Sequence, residues 1–322
     1  MTVPGLEQLE EAARVVTSAM RPTAEICWPT LSARCGAEVW VKHENHTPIG
    51  SFKVRGGLVY VDDLLRAGSA PAGIVAATRG NHGRSIAFAA RRRGLRATVV
   101  VPHGNSVENN AAIRAFGAEL IEHGRDFQDA LEHASEVARE RKLTMVPSFH
   151  ESLVRGVATY GLEFLRAVSG MDTVYVPIGL GSGICGTIAA RDALGLTTRI
   201  VGVVAAAAPA YALSFAAHKP VPTQSAITIA DGLAVRVPNP EAIEIINRFA
   251  ERVVTVTDQE IEEAMRNYFT DTHNAAEGAG AAALAALLKE RDQMHGQRVG
   301  IVLSGGNIDR KTYARVLADQ ET

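Results

Sequence analysis

The sequence has three cysteines, Cys27, Cys35 and Cys185, and none of them forms a Cys-x-x-Cys pair. A set that is both odd and scattered indicates neither a disulfide framework nor a zinc knuckle, so buried free thiols are expected. An excess of one charge is also missing. Lys and Arg number 33 against 35 Asp and Glu, for a net charge of −2 and a pI near 6.6. This balance gives no whole-molecule attraction to nucleic acid or to an anionic membrane, and it suits a small neutral or zwitterionic substrate. No apolar run is long enough for a membrane span, and Met1 to Glu11 lack the basic and apolar regions of a secretory leader. A cytoplasmic protein is expected. What is present is 322 residues, 47% of them hydrophobic and 21% charged, enough for one large or two medium domains and a buried cofactor.

Leu6 to Met20 has helical spacing (Leu6, Leu9, Ala13, Val16), Ala37 to Lys42 alternates as a strand, and a polar turn from Glu44 to Gly50 leads into a helix from about Ser51 to Leu65. From Ala70 a strand, a glycine turn and a helix recur. The strands are Ile74–Ala77, Ala97–Val101 and Glu119–Ile121, and the helices are Ser85–Arg93, Val107–Phe116 and Phe127–Lys142. After a kink between Met145 and Glu151 the pattern resumes with a strand at 173–178, a glycine loop at 179–186, a helix at 187–194 and a strand at 199–205. Residues 209–239 read as an irregular connection around a short helix. Helices at 258–269 and 278–289 precede a last strand at 299–303. Such alternation implies right-handed crossovers and parallel sheets, with candidate sites at the strands' carboxyl ends.

Two segments carry chemistry. In Gly50-Ser51-Phe52-Lys53-Val54-Arg55-Gly56-Gly57 a lysine stands between apolar neighbours. Desolvation favours its neutral amine, which can condense with a carbonyl, although the triplet alone equally suits a surface lysine lying along a helix. Gly179-Leu180-Gly181-Ser182-Gly183-Ile184-Cys185-Gly186 joins a strand to a helix, where backbone N–H groups and the helix dipole can face a phosphate. It also fits the dinucleotide pattern G-x-G-x-x-G, but the next strand ends in Val203-Val204-Ala205-Ala206-Ala207 with no acid for a ribose. The cradle therefore suits a lone phosphate. A reactive lysine beside a single-phosphate cradle suggests pyridoxal 5'-phosphate, whose ring oxygen and nitrogen Asn81 and Ser304 could serve.

With these segments assembled, the chain resembles the fold-type II pyridoxal-phosphate enzymes, in the branch of serine/threonine dehydratases (threonine ammonia-lyases) and serine racemases. The matching segments, from residue 44 to residue 307, are Glu44-Asn45, the Lys53 segment, Gly80-Asn81-His82, Gly179 to Gly186, Asp231-Gly232, Glu277 and Ser304-Gly305-Gly306-Asn307. The resemblance implies an α/β, tryptophan synthase β-like fold of two domains, each an open, mostly parallel sheet flanked by helices. Residues 1–68 with 150–322 would form the larger domain, and 69–149 a smaller, mobile, substrate-side one. It further implies that Lys53, beside Phe52, carries the cofactor and that Asn81 bonds the ring 3-oxygen. Gly179, Leu180, Gly181, Ser182 and Gly183 would hold the phosphate, Ser304 would meet the pyridine nitrogen, and Glu277 would sit near the cofactor's edge. Ser51, Thr78, Arg79, Gly80, Asn81 and His82 would meet the substrate. A hydroxyl at Ser304 does not hold the ring nitrogen protonated as a carboxylate would, which suits β-elimination.

Departures from the family narrow the reading. Racemases of this branch have a serine acid/base where Arg79 stands, and an arginine that stays protonated shuttles protons poorly. Residues 204–210 contain no carboxylate where some relatives bind a divalent cation, so no metal is expected there. Arg155 and Val157 also differ from the usual residues near the substrate. The chain ends soon after Asp309, so no regulatory domain and no end-product feedback are expected, and a catabolic role follows. The expected activity is dehydration of an L-β-hydroxy amino acid, of serine or threonine type or bulkier such as phenylserine or hydroxyaspartate, to a 2-oxo acid and ammonia by a homodimer. The alternatives are a racemase or β-replacement synthase of the same fold, or a non-catalytic protein that binds a phosphate ligand.

Overall fold

The structure is a computed structural model in which residues 1–68 and 71–318 are described; the expected domain boundary at residue 69 therefore falls outside the described residues. Helix α1 (Leu6–Thr17) is followed by strand β1 (Glu25–Cys27), α2 (Pro29–Cys35), β2 (Glu38–His43) and α3 (Lys53–Arg66). Then come β3 (Ile74–Ala77), α4 (Asn81–Arg92), β4 (Ala97–Val101), α5 (Val107–Ala115), β5 (Glu119–Glu122), α6 (Phe127–Arg141) and β6 (Thr144–Met145). Helix α7 (Glu151–Ala167) leads to β7 (Thr173–Pro177), α8 (Ser182–Ala193), β8 (Arg199–Ala205), α9 (Ala210–Ala217), α10 (Pro240–Phe249) and β9 (Arg252–Val256). The chain closes with α11 (Asp258–Thr272), α12 (Gly278–Lys289), α13 (Arg291–Met294), β10 (Arg298–Leu303) and α14 (Arg310–Ala318).

These strands build two sheets, one of six strands in the order β1-β2-β10-β7-β8-β9 and one of four in the order β5-β4-β3-β6. Every pairing is parallel except β1 with β2. Strands β3, β4 and β7 are buried at every position, as parallel strands covered on both faces must be. Helix α12, Gly278-Ala279-Gly280-Ala281-Ala282-Ala283, lies in the core of the larger sheet because its side chains are small. A Cβ on Gly280 would stand 2.2 Å from the Gly305 carbonyl, so this glycine allows α12 to touch the end of β10. A separate core joins α1 and α3 to β3, β4 and α4 through Val16, Val54, Val59, Ile74, Ile86 and Val99. Among the described residues no helix is long and apolar enough to cross a membrane.

Several elements depart from the sequence reading. Helix α7 was expected as a kink and an unassigned stretch, yet it is the longest helix, with twelve of its seventeen residues buried. Its polar residues Glu151, Arg155, Thr159, Glu163 and Arg166 recur every three or four positions, a helical period that the sequence reading leaves unassigned. Helix α8 begins at Ser182 rather than Thr187, because Gly181 at φ +102° turns the chain sharply into the helix. Helix α4 likewise begins at Asn81 and not at Ser85. Strands β1 and β9 and helices α2, α13 and α14 are short and had no clear signal, whereas α10 carries one, an Asn239 cap with Pro240 at its first position, that goes unassigned after a proline-rich stretch.

One buried ion cluster ties α3 to its surroundings. The Arg55 guanidinium, wholly buried, donates to Glu44 at 2.8 and 2.9 Å and to Glu163 at 2.7 Å, and Thr159 Oγ1 accepts at 3.0 Å. Lys42 Nζ, also wholly buried, reaches Glu25 at 2.5 Å, Glu163 at 2.7 Å and the Thr23 carbonyl at 2.9 Å. Replacing Arg55 with methionine removes the cation and leaves two carboxylates short of partners, one of them fully buried. Urea unfolding of Arg55→Met should show a loss of about 3–5 kcal/mol, and a loss under about 1 kcal/mol would contradict this assignment.

Candidate active site

The carboxyl end of β10 meets the start of α3. Ser51 bridges Gly305, Phe52 N donates to the Ser304 carbonyl at 3.0 Å, and Gly306 N donates to the Gly50 carbonyl at 3.0 Å. This pairing sets Lys53, the first residue of α3, beside Ser304. The Ser51 hydroxyl accepts from Lys53 N at 3.3 Å, and Lys53 Nζ lies 5.1 Å from the centre of the Phe52 ring. Nζ makes no hydrogen bond to a described residue. Desolvation lowers the pKa of this amine, and the nearby Glu277 carboxylate opposes the shift in part. Ser304 is buried, and its hydroxyl has one distant acceptor, the Ala279 carbonyl at 3.4 Å.

The glycine loop lies behind Phe52. The Phe52 ring packs edge-on against Tyr160 with centroids 6.0 Å apart, and the Tyr160 hydroxyl donates to the Gly183 carbonyl at 2.9 Å. Tyr211 donates to the Leu180 carbonyl at 2.8 Å, which anchors the other side of the loop. A Cβ on Gly179 would come within 2.5 Å of the Gly232 carbonyl, and one on Gly181 within 2.6 Å of the Ala242 Cβ. No side chain caps the N-terminus of α8, where Ser182 and Gly183 begin the helix. Exposed N–H groups at the positive end of a helix dipole are suited to a phosphate.

A second helix N-terminus, that of α4, is built by Thr78 to His82. Thr78 Oγ1 accepts from Gly80 N at 3.0 Å, and Asn81 Nδ2 donates to Glu277 Oε1 at 2.7 Å. His82 is buried and its Nε2 has no partner. Desolvation first, and the Lys53 charge second, push its pKa down to about 3, so it is neutral. The Arg79 side chain, about half exposed, pairs with Asp231 at 3.3 Å. Arg155 does not join the site: it pairs with Asp63, ten residues or roughly 15 Å along α3 from Lys53, in a groove beside α1. Val157 is a core residue packed on Gly56.

The donors present fit pyridoxal 5'-phosphate: an amine without an acceptor, an uncapped helix end, a nearly unpartnered hydroxyl at Ser304 and an amide at Asn81. Sequence reasoning gave no role to Asn307 or Arg84, which contact Asn81 directly or through one another, nor to Tyr160 and Tyr211, which hold the glycine loop. Asn307 was visible within Ser-Gly-Gly-Asn, whereas Arg84 and the tyrosines had no local signal. Burial raises the Glu277 pKa to about 7; Asp231 adds to the shift, while Asn81, Arg84 and Lys53 oppose it. A carboxyl whose folded pKa is raised favours folding most below its unfolded value near 4.5, and that contribution is lost as pH rises toward 7. In cofactor-free protein, Glu277→Gln should therefore gain stability relative to wild type between about pH 5 and about pH 7.5 in urea unfolding. A constant difference would refute the burial of this charge.

The family model described as "Pyridoxal-phosphate dependent enzyme" matches residues 16–305. The chain is similar to an L-threonine ammonia-lyase of Thermotoga maritima, 31% identical over 313 residues that cover 97% of this chain and 78% of that one. It is also similar to an L-threo-3-hydroxyaspartate ammonia-lyase of a Pseudomonas species, 34% identical over 89% of this chain and 90% of the other. Among solved structures, maize serine racemase superposes with a TM-score of 0.90 at 26% identity, covering 98% of this chain and 97% of the racemase. Lys53, the glycine loop, Asn81 and Ser304 thus lie near the carboxyl ends of parallel strands, and the chain belongs to the pyridoxal-phosphate dependent enzyme family.

Proposed function

We propose that the protein is a dehydratase that converts an L-β-hydroxy amino acid to a 2-oxo acid and ammonia. The observation that carries this reading is Lys53, a desolvated amine without an acceptor, held beside a neutral serine hydroxyl at the pyridine-nitrogen position and near an uncapped helix end. Bound there, pyridoxal 5'-phosphate supplies an aldehyde that condenses with amines and a ring that withdraws electrons from the substrate's α-carbon. The N–H groups from Ser182 and Gly183 and the glycines before them would hold its phosphate. Ser304 Oγ would meet the ring nitrogen as a neutral hydroxyl, which does not hold that nitrogen protonated as a carboxylate would. Thr78, Gly80, Asn81 and His82 present the N-terminus of α4 to the substrate α-carboxylate, with Ser51 alongside. Lys53 Nζ would take the α-proton and return a proton to the departing β-hydroxyl, which leaves as water; the released enamine tautomerises to an imine that water hydrolyses to the 2-oxo acid and ammonia. Glu277 orients Asn81.

Elimination needs one base. Racemisation needs a second on the opposite face, and at the position that carries it in the racemases of this branch the chain has Arg79, a half-exposed guanidinium paired with Asp231 that is a poor proton shuttle. The relatives named for threonine and for 3-hydroxyaspartate support the β-hydroxy class, and Arg79 leaves room for an acidic or aryl β-substituent. The reading includes a cytoplasmic homodimer, as the family resemblance implies. It also includes closure on substrate of the unit at 69–149, which is tied to the rest of the site by Asn81, Arg84 and Arg79.

The test is 2-oxo acid release from L-serine, L-threonine, 3-phenylserine and 3-hydroxyaspartate, with chiral analysis of unreacted amino acid. Keto acid without D-isomer is the expected result, and D-isomer accumulation would overturn the one-base mechanism. Lys53→Ala should abolish both turnover and the protein-bound visible absorbance of the cofactor, and retention of either would contradict the role of Lys53.

A further inference from the structure

Asn81 belongs to a run of side-chain hydrogen bonds whose direction is set at its far end. Asn307 Nδ2 donates to the Ile49 carbonyl at 2.8 Å and to Asn81 Oδ1 at 2.7 Å, while Asn307 Oδ1 accepts from Arg84 Nη1 at 2.6 Å. Asn81 Nδ2 in turn donates to Glu277 Oε1. A primary amide can turn over and exchange its donor and acceptor ends, so an asparagine by itself has no fixed polarity. A backbone carbonyl can only accept, and a guanidinium can only donate. Asn307 faces one of each and is satisfied in a single orientation, which it passes on to Asn81. The Arg84 guanidinium is itself held, since its Nε donates to Asn109 Oδ1 at 2.7 Å and Asn109 donates to the Arg79 carbonyl at 3.2 Å. Arg84 follows Asn81 by three residues on α4, so the two share a helix face.

We propose that Arg84 and Asn307 are positioning residues that lock Asn81 as a hydrogen-bond donor toward the oxygen on the cofactor ring. The inference rests on the reading of Asn81 as that oxygen's partner. One Nδ2 hydrogen of Asn81 is occupied by Glu277, and the other is left for the ring oxygen. An amide turned over would direct its own oxygen at that acceptor instead. The lock draws on the loop before α3, the loop after β10 and α4, so the polarity of the site is assembled only when these three are together.

The experiment titrates pyridoxal 5'-phosphate into cofactor-free protein and reads its Kd and the position of its visible absorbance band. Thermal unfolding of the same samples establishes that each variant is folded. Asn81→Ala sets the reference shift. Asn307→Asp, which replaces the donor to Asn81 with a second acceptor, should weaken binding about tenfold or more and move the band in the same direction, since hydrogen bonds to charged groups are of that strength. Arg84→Met should do the same to a smaller extent, and Arg84→Lys, which keeps a donor-only group, should stay near wild type. Adding Arg84→Met to Asn81→Ala should change neither readout further. If Asn81→Ala shifts both readouts while folded Asn307→Asp and Arg84→Met match wild type, the lock is overturned and the role of Asn81 stands. Additive effects in the double variant would also overturn it. If Asn81→Ala matches wild type, the reading of Asn81 fails and the lock falls with it.

Discussion

A fully buried guanidinium sets the terms for this structure. Arg55 is tolerated inside the protein only because Glu44 and Glu163 meet it with several hydrogen bonds, and Lys42 shares the second of these carboxylates. The partners come from the end of β2 and from α7, so the first turn of α3 is clamped from two directions. Lys53 lies two residues before Arg55, a rise of about 3 Å along the same helix. The charge cluster therefore fixes where the reactive amine begins its reach, and burial lowers the pKa of that amine beside the Phe52 ring.

Around that amine the site is assembled from backbone as much as from side chains. Three strand ends, those of β3, β7 and β10, deliver three loops to one place, as an open parallel sheet does at its carboxyl edge. Glycine recurs in these loops because other backbone occupies the volume of a Cβ: the Gly232 carbonyl at Gly179 and the Ala275 carbonyl at Gly306. Two helix N-termini result, one at Ser182 and one at Asn81, and each presents N–H groups to an anion. The acidic and basic groups nearby are shifted toward their neutral forms, Glu277 up to about 7 and His82 down to about 3, which lowers the cost of bringing a charged substrate among them.

The parts of this arrangement that were legible in the sequence share a physical cause. Strands such as Val99-Val100-Val101 and Val174-Tyr175-Val176 are buried on both faces and read as continuous apolar runs between glycine turns. Lys53, Asn81, the glycine loop and Ser304 sit at the ends of such runs, where residue type and order carry the signal. Helix α7 did carry a helical period, since Glu151, Arg155, Thr159, Glu163 and Arg166 recur every three or four residues among apolar ones, but these polar side chains are spent largely on internal pairs and the sequence reading leaves the stretch unassigned. Arg155 looked like a substrate neighbour by order alone, but a helix face decides where it points, and that face turns it to Asp63. Asn307 and Arg84 were out of reach for a related reason, because they meet across 223 positions of chain and a hydrogen bond of that span leaves no local pattern.

The most direct test of the account is where the cofactor attaches. Protein loaded with pyridoxal 5'-phosphate, reduced with borohydride and digested, should carry the phosphopyridoxyl mass on the peptide that contains Lys53. The same mass on a peptide bearing Lys42 or another lysine, or on none, would contradict the claim that the clamped start of α3 holds the reactive amine.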